Sequence, residues 1–212
     1  MQDHSLAVGL LTCGREIHTQ TTVDSFRLHN AYRPFHLLHV DDASESGANC
    51  DIAHRSGFDL VARHSRRQGQ MAGLRRLLQE AARRGCEWFV LLENDWETVA
   101  RWATDTMPSS AECLRLYGAR KARNGRRAPT GVNNMATGLA IQWEPAMGGL
   151  MEMGEAHWAG PPSAVRTDRL LPRAMECASA KELSRTLSLW TARLVDNAVW
   201  HLCEETTPGF IP

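Results

Sequence analysis

The sequence predicts an α/β fold with a mostly parallel central sheet, and three observations carry that expectation. Short apolar runs recur through the first hundred residues, each stops abruptly at a polar or acidic turn, and segments of helical spacing separate them. Leu6-Ala7-Val8-Gly9-Leu10-Leu11 is the first run, ended by Thr12-Cys13-Gly14-Arg15, as suits a strand buried on both faces. A helix over Ile17 to Asn30 follows. Pro34 resets the chain, and Phe35 to Val40 reads as a second strand, stopped by Asp41-Asp42-Ala43-Ser44. Leu74, Leu77, Leu78 and Ala81 recur at i, i+3, i+4 and i+7, which predicts a helix over 72–84 with Gly85 at its C-cap. Trp88 to Leu92 is the third strand, stopped by Glu93-Asn94-Asp95. Strands alternating with helices imply right-handed parallel crossovers.

The second half is less regular. Residues 109–121 are read as helical, 123–129 as a loop and Thr137 to Trp143 as a strand. Gly148-Gly149, Gly160-Pro161-Pro162 and Pro172 punctuate the stretch that follows. Ser179 opens a helix in which Leu183, Leu187, Trp190 and Leu194 share a face, with Glu182 placed for a capping box. A last strand is expected over Ala198 to Leu202.

At 212 residues the chain is read as one domain, with a first half (about 1–97) and a second (98–212). Its 24 basic and 24 acidic residues cancel, so local patches carry more meaning than net charge. Arg63, Arg66, Arg67, Arg75, Arg76, Arg83 and Arg84 crowd one region, and Arg115 to Arg127 form another. No stretch approaches the roughly 20 apolar residues that cross a bilayer, and the N-terminus lacks a signal-peptide plan. A soluble cytoplasmic protein is the expectation. The six cysteines show neither a CxxC nor a Cys/His ligand spacing, so they are read as reduced, small buried side chains.

Ligands of open α/β sheets bind beyond the carboxyl ends of strands, where this chain places Asp41, Asp42, Glu93 and Asp95. An acidic turn taken alone is explained by local hydrogen bonding. The combination is more specific. Leu11-Thr12-Cys13-Gly14-Arg15, Val40-Asp41-Asp42-Ala43-Ser44, Gly69-Gln70-Met71-Ala72-Gly73 and Leu91-Leu92-Glu93-Asn94-Asp95-Trp96 together resemble the inverting GT-A glycosyltransferases, family 2-like members above all. The resemblance covers residues 6–97 well and the rest loosely, and it implies a GT-A, Rossmann-like nucleotide-diphospho-sugar transferase fold.

The resemblance also implies roles. Thr12, Arg15, Asp41, Asp42, Gln70, Arg75, Glu93 and Asn94 would contact the donor, with Asp41 or Asp42 at its base and Arg66 or Arg67 as alternatives to Arg75. Asp95 would ligate Mg²⁺ or Mn²⁺ on the diphosphate of a UDP-type sugar, with Glu93 nearby. A hard cation held by one or two carboxylates neutralises the leaving diphosphate while keeping phosphate oxygens as ligands. Val199-Trp200-His201 resembles the family's C-terminal histidine segment, so His201 would complete the metal site. Inversion requires a carboxylate to take the acceptor's proton. Glu182 is the first choice and Asp168 and Glu155 stand behind it, although Ser179-x-x-Glu182 is equally a capping box. Trp96 and Trp158 are candidate sugar platforms.

For the acceptor, the basic loop 120–127 with Arg123, Arg126 and Arg127 suggests phosphate contacts, hence a hydroxymethylated pyrimidine of DNA flipped into a pocket. The rival reading is a cell-surface glycan or lipid-linked precursor. An inert nucleotide- or nucleic-acid-binding module on the same fold is the alternative from another class.

Overall fold

The computed structural model describes residues 5–30, 36–100, 110–116, 134, 136–146, 151–160, 162–194 and 199–201. The first half runs β1 (Leu6–Thr12), α1 (Glu16–Asn30), β2 (His36–Asp41), α2 (Ala48–Arg55), β3 (Leu60–Arg63), α3 (Gln70–Arg83) and β4 (Trp88–Glu93). β1 lies between β2 and β4, parallel to both, and β3 pairs parallel with the outer side of β2. Every residue of β1 is buried, because helices cover both faces of the sheet at this strand. Val8 and Leu10 pack with Val23 and Phe26 of α1 and Ile52 of α2. Ala7 and Leu11 face the other way, toward Leu74, Leu77 and Leu78 of α3. Close packing of α3 on β1 requires Gly73, since a Cβ there would lie 2.3 Å from Leu11 Cδ1.

The second half adds β5 (Trp96–Thr98), β6 (Cys113–Arg115), β7 (Glu144–Ala146), β8 (Met151–His157), β9 (Ser163–Arg166), α4 (Thr167–Glu176), α5 (Ala180–Thr186), β10 (Ser188–Leu194) and β11 (Val199–His201). Among the described residues the main sheet has the order β3-β2-β1-β4-β9-β6-β10-β8-β7, and β11 pairs with β5 in a separate ribbon. β9 runs antiparallel between β4 and β6, β6 is parallel to β10, and β8 is antiparallel to β10 and β7. Only β8 and β9 therefore oppose the common direction, and the sheet is mostly parallel in that sense. The carboxyl ends of β1, β2, β4, β6 and β10 share one edge.

Several expectations fail at the level of elements. α2 and β3 occupy the stretch between the second strand and the basic cluster, where Gly47 and Gly57 bracket a helix too short for its periodicity to register. The described core of the expected helix at 109–121 is the strand β6, with Cys113 and Leu114 buried in opposite apolar layers. Thr137 to Trp143 belongs to no strand segment and Leu139 is largely exposed; the strand falls later, at Glu144–Ala146. The helix opened at Ser179 ends at Thr186, and Leu187 begins an extended run. Leu183 and Leu187 are indeed buried together, but Leu189, Thr191 and Arg193 alternate with period two, and Trp190 is exposed. β8, β9 and α4 lie in the stretch dominated by Gly and Pro, and Pro172 is accommodated inside α4.

Candidate functional site

Three turns meet at the carboxyl edge of β1, β2 and β4. The turn after β1 brings Gly14 and Arg15, the turn after β2 brings Asp42 to Ser44, and the turn after β4 brings Asn94 and Asp95. Arg15 and Ala43 both hold positive φ, 57° and 56°, so unfavourable backbone is concentrated here. The Gly14 carbonyl accepts from Asn49 Nδ2 at 3.0 Å and from Asn94 Nδ2 at 2.7 Å, and its amide donates to Ser44 Oγ at 2.7 Å. Asn94 also donates to Thr19 Oγ1 at 3.0 Å. Asn94 thus fastens the acidic turn to the start of α1.

Asp41 is fully buried and saturated. Its carboxylate accepts from Thr12 Oγ1 at 2.8 Å, Asn49 Nδ2 at 3.1 Å, the Ser44 amide at 2.9 Å and the Ser44 hydroxyl, while Arg63 Nε stands 3.4 Å away. Burial raises its pKa, but the hydrogen bonds from Ser44, Asn49 and Thr12 outweigh that and hold it below the usual value. Asp42 accepts from His64 Nδ1 at 2.9 Å and from the amides of Gln68 at 2.8 Å and Gly69 at 2.9 Å. Its pKa is likewise lowered, burial being outweighed by those donors. Both carboxylates therefore organise loops, Asp41 its own turn and Asp42 the segment 64–69 that delivers α3. Thr12, buried beneath, completes the same lattice. A direct donor contact by the side chains of Thr12, Asp41 or Asp42 is not what this geometry offers.

Other residues stand at the outer side of these turns. Glu93 is the last residue of β4, and Gln70, the first of α3, donates its side-chain amide to Glu93 Oε1. Asp95 Oδ2 is 3.2 Å from Arg15 Nη1; the arginine side chain is 55% exposed and so able to reorient, whereas that of Asp95 is 14% exposed. Arg66 and Arg67 stand exposed on the loop that Asp42 clasps. Arg75 serves elsewhere: it donates to the carbonyls of Ala174 at 2.8 Å and Cys177 at 2.6 Å, satisfying the C-terminus of α4. It is a structural link and not a donor contact.

Two carboxylates on one turn suit a hard cation, although no group of three His, Cys, Asp or Glu able to hold a metal is found among the described residues. His201 lies opposite Trp96 in the β11–β5 ladder, which brings its backbone beside the residue following Asp95. Trp96 is partly buried against the α1-side layer.

The expected catalytic carboxylates are dispersed. Asp168 follows Arg166, which pairs with Trp88 at the start of β4, and Thr167 bonds to Glu87. It stands a strand length from Glu93, roughly 16 Å, and its partner is Arg166 at 3.3 Å. Antiparallel β9 delivers it to the wrong edge, so Asp168 is removed as a base. Glu155 lies on β8 opposite Trp190 and accepts from Ser188 Oγ at 3.0 Å. Glu182 closes a reciprocal capping box: its amide donates to Ser179 Oγ at 3.1 Å, and its Oε2 accepts from the Ala178 amide at 2.6 Å. Yet Arg75, five residues along α3 from Gln70, reaches the Cys177 carbonyl with its guanidinium, which ties the segment before the cap to the flank of α3. Trp158 is 1% exposed, and its Nε1 donates to Ser163 Oγ at 3.1 Å. It is a core residue, which excludes it as a sugar platform. Arg123, Arg126 and Arg127 lie outside the described residues.

Sequence reasoning missed His64 and Asn49, whose roles arise from pairings across separate elements and leave no local pattern, and it gave no role to Ser44, which bonds to Asp41 within the same turn.

No family model matches the chain, and no curated protein matches it significantly. Solved structures do. S. aureus TarS 1-349 superposes with a TM-score of 0.62 at 16% identity over 95% of this chain and 61% of that one. The same protein in complex with UDP-GlcNAc gives 0.60 at 15% identity over 92% and 57%. The mannosyltransferase PcManGT from Pyrobaculum calidifontis, in complex with GDP-Man and Mn²⁺, overlaps 53% of this chain and 35% of its own at 18% identity and a TM-score of 0.44. The chain thus spans about three fifths of the length of TarS 1-349. In architecture it has the GT-A fold of nucleotide-sugar glycosyltransferases.

Proposed function

We propose that this chain is a metal-dependent glycosyltransferase that moves a sugar, with inversion, from a nucleoside-diphosphate donor of the UDP type to a hydroxyl acceptor. The observation that carries the reading is the Glu93–Asp95 turn, presented by β4 and fastened by Asn94 to the turn after β1, with Gln70 and Arg15 on its rim. Asp95, with Glu93, would hold Mg²⁺ or Mn²⁺, and the site has the hard oxygen donors such an ion needs. The metal would supply charge neutralisation at the leaving diphosphate. Arg15 would then exchange Asp95 for a phosphate oxygen, since a guanidinium accommodates either partner in the same fork geometry. His201 is retained as a third ligand on the strength of the β11–β5 pairing.

Glu182 is kept as the base. Its exposed carboxylate is tethered through Oε2 alone, which leaves the other oxygen for a proton. An anchored cap also fixes the direction in which that oxygen points. A glycan or lipid-linked acceptor is preferred to DNA, for which the comparisons offer no support. Transfer or hydrolysis of a UDP-sugar in the presence of Mn²⁺ tests the proposal. Asp95→Asn is expected to abolish metal-dependent UDP binding with the fold intact, and Glu182→Gln to lose transfer while binding UDP as tightly as the parent. Nucleotide binding without any turnover would instead identify an inert module.

A further inference from the structure

A second constellation lies across the sheet from these turns. Arg115 ends β6, Arg193 is the penultimate residue of β10, and the two are register partners. Arg115 is also opposite Ser163, which is opposite Leu91 of β4. Leu91, Ser163, Arg115 and Arg193 therefore form one row across the sheet on the face that carries α3, and Glu93 stands two residues further along the same face of β4. Two strand spacings and two residues separate Arg115 from Glu93, roughly 12 Å between Cα atoms. Both arginines are buried, at 5% and 9% exposure.

Their charges are not balanced. Arg193 meets Glu152, its cross-strand partner, at 2.6 Å from Nε and 2.5 Å from Nη2. Arg115 donates from Nη2 to the His157 carbonyl at 2.8 Å, and its buried Nε has no hydrogen-bond partner. No carboxylate of the described residues forms an ion pair with it. His157 supplies no negative charge, and burial followed by the Arg115 charge pushes its pKa down to about 4. Trp143 covers both guanidiniums, with its ring centroid 4.0 Å from Arg193 Cζ and 5.5 Å from Arg115 Cζ. The cover is held at Gly154, where a Cβ would lie 2.3 Å from the Gln142 carbonyl oxygen. An aromatic face attracts cations without replacing a counter-ion, so a pair of buried guanidiniums served by one carboxylate remains short of an anion.

We infer that Arg115 and Arg193 form an oxyanion subsite that takes a phosphate or carboxylate carried by the acceptor. The inference rests on the glycosyltransferase reading for its substrate, but the subsite itself does not depend on it. The distance from Glu93 is the reason for choosing the acceptor: the proposed donor diphosphate would be held at the acidic turn, and a group roughly 12 Å across the same face would lie beyond the transferring sugar. Arg115 supplies the vacant donor at Nε, Arg193 shares its charge between the ligand and Glu152, and Trp143 packs over the pair.

The test is calorimetric titration of inorganic phosphate into the protein at low ionic strength, with and without saturating UDP and Mn²⁺. Binding of phosphate on top of UDP is expected, weakened roughly tenfold or more by Arg115→Gln and strengthened several-fold by Glu152→Gln, which removes the competing carboxylate and keeps its shape. UDP affinity is expected to be unchanged by either substitution. Absence of phosphate binding in the parent protein, or equal binding in Arg115→Gln, overturns the subsite. If Arg115→Gln does not fold, Arg115→Lys and Glu152→Gln carry the test, and failure of Glu152→Gln to tighten phosphate overturns it. Failure of UDP to bind would count against the donor site alone, since the titration without nucleotide still reads the arginines. A preference for UDP-glucuronic acid over UDP-glucose that vanishes in Arg115→Gln would put the oxyanion on the donor's sugar and overturn its assignment to the acceptor.

Discussion

Lowering the pH from 7.5 to 5 is expected to cost this protein stability through buried histidines, and His39 shows why. Its imidazole lies in β2, fully buried, with Nε2 3.0 Å from Thr12 Oγ1. The single Thr12 hydroxyl proton is directed to Asp41, so the neutral ring carries its hydrogen on Nε2 and donates it to Thr12. Nδ1 is then a bare lone pair with no partner, and protonation would bury an unsatisfied N–H. Desolvation accordingly pushes the pKa from 6.5 down to about 4, against the opposing pull of Asp41. The folded pKa lies below the unfolded one, so the unfolded chain binds the proton first. Stability is complete above pH 6.5 and is lost as the pH falls toward 4. At pH 5 the unfolded imidazole is almost wholly protonated and the folded one is not, a loss of about 2 kcal/mol relative to pH 7.5. His157, also pushed to about 4, adds a similar loss. Urea unfolding at both pH values measures the sum, and His39→Phe isolates one share. The variant pays a pH-independent offset of about 1 kcal/mol for the lost hydrogen bond, but its pH-dependent loss should be about 2 kcal/mol smaller than that of the parent. An identical pH dependence in the two proteins would refute the reasoning.

Gly73→Ala forces a Cβ against Leu11 and should lower stability by about 1–3 kcal/mol, read as a fall in the urea midpoint without a change in UDP affinity. Asp42→Asn removes the charge that clasps the Gln68 and Gly69 amides, so residues 65–69 should exchange amide hydrogens faster and the apparent affinity for the donor should fall. Trp158→Phe deletes a buried hydrogen bond and leaves a void, costing about 1–3 kcal/mol; a shift in acceptor KM with unaltered stability would instead restore the platform reading.

The first half of the fold was legible because its information is local. β1 and β4 are continuous apolar runs, since an interior parallel strand is buried on both faces, and α3 repeats its apolar positions over a full fourteen residues. β6 and β10 were misread because their burial is decided by neighbours distant in sequence. Cys113-Leu114-Arg115 is three residues long, too short for any period to declare itself, and its strand character comes from β9 and β10 on either side. At α5 the apolar spacing fits a helix through Leu187, and what ends it is the demand of β8 for a partner over Ser188–Leu194. The site shows the same division. The acidic turns were visible as abrupt changes of polarity, whereas Asp168 was misplaced because a sequence does not reveal that its strand runs antiparallel.

The four acids at the carboxyl edge look alike in sequence, and the number and kind of their donors tells them apart. A carboxylate has about four lone-pair directions. Asp41 fills them with Thr12, Asn49 and two groups of Ser44, and Asp42 uses three of them for His64 and two backbone amides. Withdrawing these donors from a buried carboxylate leaves several polar groups unsatisfied at once, at about 1–3 kcal/mol for each, so a ligand would have to offset all of them to recruit either acid. Glu93 and Asp95, both partly exposed, accept from the side chains of Gln70 and Arg15. Each of those partners rotates about single bonds and finds water or a phosphate when it lets go, so exchange costs far less. The proposed metal chemistry therefore falls to Glu93 and Asp95, and the geometry of the turns to Asp41 and Asp42, each held by several donors at once. The same reasoning applies to Glu182, where one oxygen bound to a backbone amide fixes position while the other answers to solvent. That combination suits a base, which must be aimed without being neutralised.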